Sequence, residues 1–123
     1  MAWVYLYNCL YMTSCSFAEL APLESPILQI FDELETQYVR AFHPQAISNR
    51  IAEGLVDPEL SRELTSLYEF VFKIDIVYWN ESDFDNFDDW KFARRWSSTL
   101  MQKLGMERKG LDTSGEFVTY VNV

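Results

Sequence analysis

The sequence predicts a mainly α protein: a compact bundle of about four helices. One β element is left open, a small sheet made from the N- and C-terminal segments. Three observations predict this. Helical apolar periods run through residues 27–41, 60–78 and 90–104. Helix-start signals stand near each, at Ser25-Pro26, Asp57-Pro58 and Ser82. The chain has 123 residues, 49% of them hydrophobic, which is enough for one core without disulfides or metal, so residues 1–123 read as a single globular domain.

The elements follow in order. In residues 2–12, Trp3, Tyr5, Tyr7, Cys9 and Tyr11 alternate with Val4, Leu6, Asn8, Leu10 and Met12. That pattern suits a strand buried on both faces or a buried helix, and aromatic and β-branched enrichment favours the strand. After Ser25-Pro26, Ile27, Ile30, Phe31, Leu34, Tyr38 and Ala41 form one helical stripe, with Asp32, Glu33 and Glu35 off it. His43-Pro44 ends that helix. A short helix from Pro44 to Glu53 is expected next, with Ile47 and Ile51 inward and Gly54 as its stop.

From Asp57-Pro58 the stripe Leu60, Leu64, Leu67, Val71, Ile74 and Tyr78 predicts one long central helix. A strand over 70–79 is the competing reading, and the lack of Gly or Pro between the halves favours the helix. A helix from Asp85 to Leu104 turns Trp90, Ala93, Trp96, Leu100 and Leu104 inward and stops at Gly105. Residues 116–123 alternate well enough for a strand that pairs with residues 2–12.

Charge is unevenly spread. Residues 1–90 hold 16 acids and 4 bases, and residues 91–123 hold 3 acids and 6 bases, within a net charge of −9. A negative field of this kind repels phosphate backbones and speeds encounter with a basic protein, so direct nucleic-acid binding is not expected. The N-terminus lacks a basic n-region, and Tyr5, Tyr7, Asn8 and Tyr11 interrupt its apolar run, which argues against a signal peptide. No run reaches the roughly eighteen apolar residues of a membrane span. The expected location is cytoplasmic, with Cys9 and Cys15 as reduced thiols.

Catalytic and cofactor signatures are missing from the sequence. His43 is the only histidine, there is no glycine-rich phosphate loop, and no Ser or Cys sits in a nucleophile elbow. An EF-hand loop started at Asp83 puts Phe87 at position 5, Asp88 at position 6 and Arg94 at position 12, so the match fails. No catalytic residue, cofactor or metal is expected.

One segment stands out. Between Trp79 and Trp90 the chain reads WNESDFDNFDDW, five acids among four aromatics with no base. Acids before and within a helix's first turn complement its dipole by ~0.3–1 kcal/mol each. One or two suffice for that, and crowding five costs mutual repulsion. Glu81, Asp83, Phe84, Asp85, Phe87, Asp88 and Asp89 are therefore the candidate partner-binding residues, the carboxylates meeting a basic surface and a Phe supplying an apolar anchor. In size, charge and this acidic–aromatic run the chain resembles the small acidic immunity proteins of bacterial toxin systems, of the contact-dependent inhibition and colicin types. The resemblance implies a non-enzymatic inhibitor whose partner is a basic toxin domain, most simply a nuclease. Two other classes stay open: a nucleic-acid mimic that inhibits a defence or restriction enzyme, and a small enzyme or subunit.

Overall fold

The computed structural model describes residues 2–24 and 29–112. Among them lie seven α-helices and no strand: α1 Ala2–Ser14, α2 Phe17–Leu20, α3 Ile30–Ala41, α4 Pro44–Ala52, α5 Pro58–Phe72, α6 Glu81–Asn86 and α7 Asp88–Lys103. Single 3-10 turns follow α2 (Ala21–Leu23) and α5 (Ile76–Tyr78). The body of the bundle is α1, α3, α5 and α7, with α1 packed chiefly against α3 and α7. The mainly helical expectation therefore holds, with more helices than the four expected. The expected terminal strand at 116–123 and the Ser25-Pro26 start signal lie outside the described residues.

The N-terminal strand is corrected. Residues 2–14 form α1, and Leu6, Asn8, Cys9, Leu10, Met12 and Thr13 are all fully buried. A helix sunk this deeply is apolar nearly all round, so its sequence loses the 3.6-residue period that would identify it. Trp3, Tyr5, Tyr7 and Tyr11 stay half-buried around its rim. The buried hydroxyl of α1 is satisfied: Thr13 Oγ1 donates to the Cys9 carbonyl and lies 2.6 Å from the Tyr38 hydroxyl. Cys9 and Cys15 are free and buried.

α3 buries Ile30, Leu34, Tyr38 and Ala41 as the stripe requires. Glu33 and Gln37 are buried as well, although the pattern put Glu33 outside the stripe. His43 caps α4 by accepting the Gln45 N–H at its Nδ1, 3.2 Å away. α4 is rotated from its expected pose. Arg50 is 1% exposed and donates to the Ala41 carbonyl, whereas Ile51 is 37% exposed. Burial pulls the Arg50 pKa down.

α5 starts as read, with Asp57 accepting the Leu60 N–H at 2.8 Å. It ends at Phe72 rather than running on to Tyr78. The break needs neither Gly nor Pro. The Lys73 N–H closes the helix onto the Glu69 and Phe70 carbonyls, and Asp75 then captures the Val77 N–H at 3.1 Å. A side chain that bonds its neighbouring backbone in this way offers an alternative to the helix ladder. The expected helix from Asp85 to Leu104 is likewise two helices, since Phe87 is extended (φ −72°, ψ 131°) between α6 and α7. Gly105, at φ +70°, stops α7 as read.

Beyond α7, residues 106–112 return across α1. Tyr7 Oη accepts the Lys109 N–H and donates to the Gly110 carbonyl, both at 2.8 Å. Asn8 exchanges two 2.9 Å bonds with the Asp112 backbone. Arg108 reaches Ser14, Cys15 and Glu19. Backbone donation from Ser16 is the main cause that holds the Glu19 carboxyl below its ordinary pKa, with Arg108 adding to it. Burial pushes the Tyr11 phenol up to about 12.

Candidate functional site

The acidic–aromatic run forms the corner where the 3-10 turn, α6 and the start of α7 meet. Local capping builds it. Asn80 accepts the Asp83 N–H at 2.9 Å, and its Nδ2 donates to Asp83 Oδ2 at 2.7 Å. This reciprocal cap starts α6 at Asn80, two residues before Ser82, the start signal that the sequence suggested.

The aromatics point inward. Phe84 and Trp90 are fully buried, with ring centroids 4.9 Å apart. Trp90 Nε1 donates to the Tyr78 carbonyl and Trp79 Nε1 to the Ile74 carbonyl. Phe87 is half-buried and lies flat on Tyr78 (4.0 Å, 4°). Phe84, expected among the partner-binding residues, thus lies beneath the corner as core.

The acids divide into two groups. Asp83 is spent on the Asn80 cap. Asp85 Oδ1 accepts the Phe17 N–H at 2.7 Å and lies 3.6 Å from Arg94, which ties α6 to the N-terminus of α2. Arg94 completes the tie by donating to the Cys15 and Phe84 carbonyls, with its guanidinium over the Phe84 ring. Glu81, Asp88 and Asp89 remain exposed and make no ion pair among the described residues. Asp88 and Asp89 also open α7, where they complement its dipole.

No family model, curated protein or solved structure matches this chain.

Sequence reasoning missed the apolar part of the corner. Ile76 and Val77, in the 3-10 turn just before the acids, are 72% and 66% exposed. The long-helix expectation had absorbed both into α5. Phe92 is exposed one turn along α7 from Asp88, packed beside Phe70 and Trp96. Among the described residues no group of three His, Cys, Asp or Glu side chains is placed to hold a metal ion, and no helix is long and apolar enough to cross a membrane. The arrangement offers three unneutralised carboxylates beside an exposed aliphatic pair, on a base held rigid by buried aromatic rings and caps. Charge thus lies next to exposed apolar area on one face of the molecule.

Proposed function

We propose that this chain is a binding protein that neutralises a basic protein partner, acting as an immunity protein against a cognate nuclease toxin. The observation that carries the reading is the split within the corner. Asp83 and Asp85 are engaged inside the fold, while Glu81, Asp88 and Asp89 stand in solvent with no ion pair among the described residues, just after Ile76 and Val77 in the chain. Dipole complementation accounts for Glu81 at the start of α6 and for Asp88 or Asp89 at the start of α7, and it does not call for the exposed aliphatic pair. A basic nucleic-acid-binding cleft would meet the carboxylates in place of phosphates, and Ile76 and Val77 would supply the apolar contact first expected of Phe84. A nucleic-acid mimic is the weaker reading, because the acidic face is short and gives way at Lys91 and Arg95 on the same helix.

The test is affinity capture from the native host with the native chain and an E81Q/D88N/D89N variant in parallel, followed by nuclease assays of what is retained. The expected result is a basic nuclease that the native chain holds and inhibits, that salt releases, and that the folded variant fails to hold. Equal retention and inhibition by both chains would overturn the assignment of this face.

A further inference from the structure

Beside the corner lies an open groove of about 340 Å³ between α3 and the turn after α5, lined by Glu35, Phe72, Lys73, Asp75, Ile76 and Trp79. Its chemistry is specific. Phe72 and Trp79 meet edge to face at 5.9 Å, and Trp79 is anchored at its nitrogen by the Ile74 carbonyl. Two carboxylates face one ammonium, so the lining is net negative by one charge. Asp75 is held in place by the Val77 N–H at its Oδ1, and its second oxygen accepts no hydrogen bond among the described residues. Glu35 is exposed.

We propose that this groove receives an arginine side chain of the basic partner. The proposal rests on the reading of a basic protein partner and names one contact within it. Arginine fits where other occupants do not. Its guanidinium is weakly hydrated, stacks on aromatic rings and pairs with carboxylates through a planar fork. An apolar side chain seated here would strip water from two carboxylates and return nothing. An acidic one would add to the negative charge. Lysine is a compact, strongly hydrated cation that gains less from the aromatic floor. Trp79 belongs to both regions: it lines the groove and packs against Trp90 at 5.2 Å under the acidic corner. Ile76, 72% exposed, also lines the groove and belongs to the apolar pair of the corner, so the two meet at the surface there.

The experiment needs no identified partner. The full chain is titrated with the capped peptide acetyl-Gly-Arg-Gly-amide, and amide and indole N–H resonances are followed by NMR. The citrulline peptide, equal in shape and uncharged, and the lysine peptide serve as comparisons. The expected result is a saturable shift of the Trp79 indole and of residues 72–76 with arginine. Binding should be roughly tenfold weaker with citrulline or in an E35Q/D75N variant, the loss of about one charge-assisted contact. Asparagine caps a turn as well as aspartate does, and Glu35 is exposed, so the variant keeps its fold, which its thermal midpoint verifies. No saturable shift, equal binding of citrulline, or binding untouched in the variant would each overturn the groove. None of those results bears on Glu81, Asp88 and Asp89, whose role stands or falls on the capture experiment.

Discussion

α1 and the corner from Trp79 to Trp90 are both rich in aromatics, and they spend their polar groups in opposite ways. α1 has no charged residue, and its buried polar side chains are consumed inside the molecule: Tyr7 by Lys109 and Gly110, Asn8 by Asp112, Thr13 by Cys9 and Tyr38. The corner also buries its rings, yet three of its five carboxylates are left to water. An aromatic segment whose polar atoms are all spent is a structural hub, and one with polar atoms in reserve is available to a partner. The inventory of unspent groups separates the two, where aromatic content does not.

The largest expected effect tests whether the corner's rings are structural. Trp90→Ala removes a fully buried indole, its hydrogen bond to Tyr78 and its contacts with Phe84 and Trp79. It should cost about 3–5 kcal/mol in denaturant unfolding, as much as a hub residue in α1. A cost below about 1 kcal/mol would mean that the rings do not anchor the corner.

Arg94→Ala comes next. It strands the Cys15 and Phe84 carbonyls and frees Asp85, which should cost about 1–3 kcal/mol and loosen α6 from α2. Amide exchange in residues 81–87 should quicken while α1 stays protected. Uniform loosening of both regions would break the distinction between them.

A pH series probes α1 instead. Burial holds the Cys9 thiol neutral, well above its ordinary value of 9.0. A group whose folded pKa is raised contributes fully below the unfolded value, and that contribution is lost as pH rises towards the folded one. Stability should therefore fall above pH 9, by at most about 1.4 kcal/mol per pH unit from this one group. Cys9→Ala should flatten that decline, and an unchanged slope would show that Cys9 is not its source. Tyr38, also raised by burial, adds to the decline at higher pH.

The smallest effect on stability is expected from E81Q/D88N/D89N. These groups are exposed and form no ion pair among the described residues, so the change should stay within about 0.5 kcal/mol of the native chain. A much larger loss would return all five acids to a structural role.

The two regions also differ in how far the sequence revealed them. Strongly amphipathic helices were legible: the stripes of α3 and α7, and the Asp57 and His43-Pro44 boundaries, follow from spacing and caps. α1 was not, because a helix buried on every side carries no period to detect. The end of α5 at Phe72 was hidden for a different reason. Lys73 closes it and Asp75 caps the turn that follows, a signal weaker than Gly or Pro and masked by the apolar run on either side. At the corner the acids were conspicuous, but their division was not. Asp85 is occupied by Phe17 and Arg94, contacts 68 and 9 residues away that only the fold brings together. Asn80, three residues before Asp83, was the readable cue for where α6 begins. Ile76 and Val77 became surface only once α5 stopped short of them.

The bonds from Tyr7 and Asn8 to residues 109–112 span 102 to 104 positions of chain. On the ribosome α1 leaves the exit tunnel before the residues that close over it, which follow about 100 positions later. At typical elongation rates of roughly 5–20 residues per second that interval is several seconds, far longer than a helix takes to form. Through it an uncharged helix of Trp, Tyr, Leu, Met and Val stands without the α7 surface that buries it.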